Sequence, residues 1–542
     1  MSDVDALLED PLEKKRHEAA ARIQAAYDID LPRISTWNYD PCPAHAHLEA
    51  PLITCMDCGI RFRRHQRLGI SWLYLREHGL LADDVGTGKT IHAAALAAIN
   101  LEKGRIGPGA RAVVIARPAA LGQWHAQLKR MVPSLRVITA EGTVKARNEK
   151  YTSEWDLCLI GPEMLRNDVD KLLQFPIRHV ISDDVDALRN RTTATAKAVA
   201  KLGADAETRT VMTGTPLQKR LHEMYGVFEQ LGLAWKLFGS EKAFLRRYVR
   251  SEPQIVYRGR RKIVTTRVVG YKNVDEFKEL IAPYVMRRTA SDITDVDLPE
   301  ITPNEVWLDL YPKQRAMYEE LREGVLRIEK DGLELVRHAE AMAKVIYGAR
   351  ICGGVGSVDP DSDVADGSVK LDWIMEQLTN SLEEEKVIVF AGFQDSVTCL
   401  QRRLEAEGIG QVTIWGRENN KKLRDERIRR FWEDDDCRVF IGTQAIEQSL
   451  NLQVARHMIC MDTVMNPARM TQLAGRIRRD GSAFGTVFMH FLWTRDTQEE
   501  HYKTVLEREQ ALIDTVWNED SELFETLSPG ELLRLIGPRS KP

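Results

Sequence analysis

The stretch "LLADDVGTGKT", residues 80–90, decides the fold. An apolar run meets a glycine-bearing turn, and an alanine-rich helical pattern begins near Lys89. Gly86 and Gly88, on either side of Thr87, let backbone N–H groups turn onto phosphate oxygens. The N-terminus of the following helix adds the positive end of its dipole. In such a loop Lys89 reaches the β- and γ-phosphates of ATP and Thr90 ligates Mg2+. The strict spelling of a phosphate loop wants glycine where this chain has Asp83, but the core "GTGKT" is intact.

Around this loop, apolar strand-like runs alternate with helical patterns: "AVVIAR", "LRVITA", "DLCLIG", "HVISDD" and "RTVMTG". That alternation predicts a parallel sheet covered by helices. "VISDDVDALRN" (180–190) lies about ninety residues after the loop and ends a strand in two carboxylates. Such a strand end holds magnesium in phosphate-loop hydrolases. Asp183 is the candidate magnesium ligand, and Asp184 stands where the acid that polarises water belongs. "VMTGTP" (211–216) is a further strand running into small hydroxyl residues, with Thr213 and Thr215 as candidates to sense the nucleotide. A second strand–helix series, "KVIVFAGF", "QVTIWG", "RVFIGT", "HMICMD" and "TVFMHFL", occupies about 385–495.

The chain has 542 residues, 43% hydrophobic and 29% charged, enough for two to four domains with sizeable cores. Its formal net charge of −4 gives no bulk sign of nucleic-acid binding, so any such binding needs local basic surface. No run approaches the ~20 consecutive apolar residues of a membrane span, and the charged start lacks the apolar core of a signal peptide. Eight cysteines, most of them single in apolar strands, argue for a reducing interior without disulfides.

The order and spacing of these segments resemble the Swi/Snf type of superfamily-two helicase-like motor, over roughly residues 61–495. "RFRRHQRLGISWL" (61–73) resembles that family's adenine segment, with Gln66 as the adenine reader. "ARPAALGQWHAQLKRMVPSLRV" resembles the next motif, and "IAPYVMRRTASDITDVDLPE" (281–300) the bridge between lobes. "LYPKQRAMYEEL" resembles the start of lobe two, and "MDTVMNPARMTQLAGRIRRDGS" the late motifs. In "QLAGRIRRDG", Arg476 and Arg479 are three apart and would share one face of a helix. With Gln472, they are candidates to neutralise charge developing on the γ-phosphate.

The resemblance implies an α/β fold of two RecA-like phosphate-loop lobes with parallel sheets and helical insertions; the cysteine and histidine spacing before residue 60 adds a small N-terminal zinc-knuckle-like segment. Expected divisions are 1–60 (N-terminal helix and knuckle), 61–220 (lobe 1), 221–300 (helical protrusion, basic hairpin and bridge), 301–495 (lobe 2, with a helical insertion at about 312–370) and 496–542 (helical tail). The resemblance implies hydrolysis of ATP with Mg2+, coupled to translocation along double-stranded DNA, with protein–DNA complexes or branched DNA remodelled as a result. The alternatives are a strand-separating helicase in replication, recombination or repair, and an ATP-switched DNA-binding scaffold. Candidate DNA contacts are Gln123, the turn 161–165, Thr443, the segment around Gln394, and Arg260 and Arg261 in the basic hairpin "YRGRRK". A monomer near a bare motor suits the cytoplasm of a bacterial or phage-infected cell, nucleoid-associated.

Three departures from the family pattern stand out. Asp184 replaces the usual glutamate and is roughly 1.5 Å shorter in reach. Ile446, Glu447 and Ser449 stand where glycines are usual, and Arg478 where histidine is frequent. Apart from the resemblance, "CPAHAHLEAPLITCMDC" places Cys42, His45, Cys55 and Cys58 as two ligand pairs. Their spacing suits one tetrahedral structural Zn2+, with His47 as an alternative to His45.

Overall fold

The computed structural model describes strands 37–40 and 52–55 and, beyond them, residues 62–507. Breaks fall at 185–187, 218–220, 259–260, 290–291, 294–297, 333–337, 360–361, 363–366, 416–420, 444–449, 463–466, 480–481 and 505. Two compact units share the chain. The first holds the residues up to Gly214, with Gly226–Leu237 and Ile281–Val296; the second holds Thr215–Tyr225, Phe238–Leu280 and the residues from Asp297. Each contains an all-parallel sheet with helices on its faces, the two RecA-like lobes expected from the sequence. A small antiparallel pair, β1 (Trp37–Asp40) and β2 (Leu52–Cys55), precedes them.

The first sheet contains β3 (His78–Leu81), β4 (Arg111–Ala116), β5 (Val137–Ala140), β6 (Leu157–Ile160), β7 (Ile177–Asp183) and β8 (Thr208–Met212). Near-continuous apolar runs form its centre because both faces are covered. Along β4, Val113 and Ile115 pack into one core cluster, while Ala112, Val114 and Ala116 pack into the other. The helix Lys89–Glu102 fits tightly because Ala93, Ala94, Ala95, Ala97 and Ala98 present small, buried side chains. In the second unit β9 (Val249–Arg258) and β10 (Arg261–Tyr271) form the expected long hairpin, with Arg261 in register with Arg258. Arg260 lies outside the described residues.

The first sheet is completed by β11 (Val285–Met286), giving the order β11-β3-β8-β7-β4-β6-β5. Because every pairing is parallel, the loops after β3, β4, β7, β8 and β11 leave from one edge. Ligands of open α/β sheets bind at that carboxyl edge.

The second sheet comprises β12 (Glu300–Leu308), β13 (Val387–Phe390), β14 (Gly410–Ile414), β15 (Cys437–Gly442), β16 (His457–Cys460) and β17 (Thr486–Thr494). Its order is β12-β17-β16-β13-β15-β14, again all parallel. Helices Pro312–Gly332 and His338–Gly353 precede its central strands. Between the helix His338–Gly353 and the strand β13, a 3-10 turn at Val355–Ser357 is buried. Among the described residues no helix is long and apolar enough to cross a membrane.

Candidate nucleotide site

Glycine geometry shapes the loop after β3. Gly86 and Gly88 have φ of 91° and 81°, the left-handed region that only glycine enters without steric cost. A Cβ at Gly88 would lie 2.9 Å from Gln66 Nε2, so the adenine-reader candidate sits directly over the loop. Gln66 is buried in the first turn of the helix Arg64–Leu75, and its Oε1 accepts the Arg63 N–H at 3.0 Å. Gly214, after β8, would place a Cβ 2.7 Å from Val85. The loop after β3 and the turn after β8 therefore touch because Gly214 carries no side chain.

Lys89 opens the helix behind the loop, and its Nζ donates to the carbonyls of Asp83 (2.7 Å) and Asp84 (2.9 Å). Desolvation lowers the proton affinity of this ammonium, against the pull of Asp83, Asp184, Asp183 and Asp84. Thr87 Oγ1 donates to the Asp84 carbonyl at 2.9 Å, and Thr90 follows Lys89 in the first helical turn. Asp183 is the last residue of β7, and its Oδ2 accepts Trp124 Nε1–H at 2.8 Å. Burial first, then Asp184, pushes its carboxyl up to about 6, against Trp124, Lys89 and Arg117.

Asp184 turns the chain off the strand with a φ of 49°, a conformation Asp tolerates better than most residues. Its Oδ1 accepts Thr213 Oγ1–H at 3.1 Å. Arg117, following β4, donates Nε–H to its carbonyl at 2.9 Å and stands 3.7 Å from its carboxylate. A hydroxyl, two carboxylates and a lysine thus converge beside a glycine-shaped loop. Hard oxygen donors of this kind fit magnesium, and the loop fits a polyphosphate.

Sequence reasoning missed four contributors. Arg117 and Arg288 lie inside segments read only as motifs; His65 and His92 were not singled out. Asp83, noted as a departure from the glycine spelling, is fully buried and paired with Arg288. His65 Nε2 donates to the Thr87 carbonyl at 2.9 Å and His92 Nδ1 to the Gly88 carbonyl at 3.1 Å. Desolvation lowers the His92 pKa to about 3, which keeps the ring neutral.

In the second unit, Gln472 and Arg476 are buried on the helix Pro467–Ile477. Gln472 Nε2 donates to Oγ1 of Thr215, a residue of the same unit, at 3.3 Å. Arg476 and Arg479 do not share the helical face expected from their spacing. The helix ends at Ile477, closing with Arg478 N–H on the Ala474 carbonyl, so Arg479 lies beyond it. A three-residue spacing gives a common face only where the helix runs through both. Arg479 is nonetheless partly buried, and burial lowers its pKa to about 10. Arg478, the frequent-histidine position, donates Nε–H to the Pro299 carbonyl at 3.0 Å.

Thr443 is buried just past β15, and Gln123 lies on the helix Pro118–Met131 of the first unit. Ile446, Glu447, Ser449, Cys42, His45, His47 and Cys58 lie outside the described residues; Cys55 is in register with Trp37. Among the described residues no group of His, Cys, Asp or Glu could hold a metal ion of that kind.

A family profile described as the SNF2-related domain matches residues 65–352, more than half of the chain. The chain belongs to the SNF2-related family. A second profile, the helicase conserved C-terminal domain, matches 369–481 of this SNF2 chain. It is 26% identical over 486 residues to the putative ATP-dependent helicase/translocase YwqA of Bacillus subtilis, covering 88% of this chain and 50% of that protein. The human DNA excision repair protein ERCC-6-like is 25% identical over 540 residues, covering 87% and 42% respectively. The chain spans about half the length of the curated relatives it matches. Its fold also resembles the Sulfolobus solfataricus SWI2/SNF2 ATPase core in complex with dsDNA, at 21% identity and a TM-score of 0.38, covering 85% of this chain and 94% of that one.

Proposed function

We propose that this chain hydrolyses ATP to drive translocation along double-stranded DNA, remodelling DNA or protein–DNA complexes. One observation supports the reading most: a single sheet edge carries the glycine-shaped loop with Lys89 among four carboxylates, the Asp183–Asp184 strand end and Thr213. In this reading the backbone around Gly86, Thr87 and Gly88 cradles the phosphates, Lys89 holds the β- and γ-oxygens, and Gln66 reads adenine. Thr90 and Asp183 hold magnesium, which when bound neutralises phosphate charge. Asp184 orients the attacking water. Gln472, Arg476 and Arg479 stabilise charge on the γ-phosphate, while Thr213 and Thr215 relay the nucleotide state. Gln123, Thr443, Arg260 and Arg261 contact DNA phosphates.

The test is phosphate release against duplex, single-stranded and forked DNA, alongside displacement of a triplex-forming strand. Duplex stimulation with triplex displacement is expected. Unwinding without triplex displacement would instead indicate a strand-separating helicase, and tight DNA binding with negligible turnover an ATP-switched scaffold. In the same assays, reversing the charge of Arg260 and Arg261 is expected to flatten the salt dependence of DNA binding. An unchanged slope removes the hairpin from the DNA site.

The contacts of Asp184 indicate a centre fitted to the shorter acid. Its backbone is left-handed and its carboxylate already meets Thr213 and Arg117. Asp184→Glu is therefore expected to lower the steady-state rate of phosphate release by about tenfold, through misplacing the carboxylate. An equal or higher rate would refute this fit.

We also propose that Cys42, His45, Cys55 and Cys58 hold one structural Zn2+, on the strength of their paired spacing. Metal analysis of purified protein should find close to one equivalent; less than about half an equivalent counts against it.

A further inference from the structure

Arg288 follows β11 and reaches two residues of the nucleotide site, Asp83 and His65. Its Nε donates to Asp83 Oδ1 at 3.0 Å and its Nη2 to Asp83 Oδ2, a two-pronged pair with a carboxylate that has no exposed surface. Its Nη1 donates to the His65 carbonyl at 2.8 Å, in the first turn of the helix that carries Gln66. His65 in turn donates to the Thr87 carbonyl in the middle of the loop.

The backbone repeats the connection. Ala82 N–H donates to the Met286 carbonyl at 2.7 Å and Asp84 N–H to the Arg288 carbonyl at 2.9 Å. The ladder between β3 and β11 thus runs on into the loop. Space is tight as well: a Cβ at Gly69 would lie 2.3 Å from His92 Cδ2 and 3.1 Å from Arg288 Nη2. Arg288 is also eight residues short of Val296, where the first unit ends and the chain passes to the second.

From this geometry we propose that Arg288 is a positioning residue for nucleotide binding. It ties the loop 83–88 both to the Gln66 helix and to the strand leading towards the second unit. The proposal rests on the reading of this edge as the ATP site. Lys89 must release the Asp83 and Asp84 carbonyls to reach a phosphate. The loop keeps its shape meanwhile because Arg288 holds the Asp83 carboxylate and β11 holds the Asp84 N–H. A lysine at 288 keeps the charge but cannot grip both carboxylate oxygens and the His65 carbonyl at once.

Arg288→Lys is expected to raise the KM for ATP about tenfold while kcat at saturating ATP stays within about threefold. Equilibrium binding of a fluorescent ATP analogue should weaken by the same factor. Asp83→Asn should give the same shift, and the double variant should be no worse than either alone. Unchanged KM and binding in a folded Arg288→Lys protein, or additive effects in the double variant, would overturn the proposal. If Arg288→Lys does not fold, the pair Asp83→Leu with Arg288→Met replaces a buried ion pair by apolar groups of similar shape. That variant should show the same loss of affinity, and normal ATP binding by it would equally overturn the proposal. A wild-type protein that neither binds nor hydrolyses ATP would sink both this inference and the ATP-site reading. Wild-type activity with an unaffected Arg288→Lys sinks this inference alone.

Discussion

Lys89→Ala is expected to lower ATP turnover on the order of a hundredfold or more, the scale of losing one preorganised group at a developing charge. The residue's surroundings explain why. Its ammonium stands among Asp83, Asp84, Asp183 and Asp184, with desolvation opposing its charge. Alanine removes the one group in this cluster proposed to meet the β- and γ-phosphates. It also withdraws a cation that helps Asp183 stay ionised, so a carboxyl already pushed up to about 6 moves further up. Phosphate binding and metal binding should weaken together. The fold should survive, because the lost hydrogen bonds run only to two loop carbonyls. Phosphate release at saturating ATP and DNA is the measurement, with the melting temperature as control. A folded variant that turns over at the wild-type rate would remove Lys89 from the centre.

Lys370→Met is expected to destabilise the second unit by about 3–5 kcal/mol, the usual cost of leaving a buried partner charge uncompensated. Lys370 has no exposed side-chain surface, and Glu499 is 2% exposed. Lys370 Nζ donates to Glu499 Oε1 at 2.6 Å and to the Met461 carbonyl at 2.8 Å. Glu499 Oε2 accepts the Thr494 N–H and Oγ1–H, each at 2.8 Å. Burial opposes the Lys370 charge, but Glu499 and Asp462 outweigh it and hold its pKa above the ordinary value.

Methionine would keep the volume and abandon two carboxylates. Asp462 matters further because its Oδ2 accepts the N–H groups of Gly392 (2.6 Å) and Phe393 (3.3 Å), just before the helix Gln394–Ala406. Burial, against Lys370, already lifts Asp462 to about 6. Without the lysine it should protonate at higher pH and loosen that turn. A loss of 3–5 kcal/mol corresponds to a fall of roughly 5–8 °C in melting temperature for a unit of this size. Calorimetry checks it, and a fall under about 2 °C would show that the pair contributes little.

Much of this was legible because it is local. The glycines, lysine and threonine of 86–90 are consecutive, so one short stretch specifies loop and helix start. Runs such as "AVVIA" are apolar on both strand faces, which reads as a covered parallel strand. The Arg476–Arg479 face failed because spacing presumes a helix continuing through both residues, and this one ends at Ile477. Asp83 looked like a flaw in a motif because its partner lies 205 residues away.

By itself, the sequence determined the two α/β units, the glycine-shaped loop before Lys89 and the acidic strand end, because each depends on neighbours along the chain. Tertiary structure alone decided what holds those pieces in place. The Arg288–Asp83 and Lys370–Glu499 pairs, the Trp124–Asp183 hydrogen bond and the contact of Thr213 with Asp184 join residues 29 to 205 positions apart. Such pairs leave no periodic trace. They exist because parallel strands bring distant loops to one edge, where a buried charge must find its partner across space.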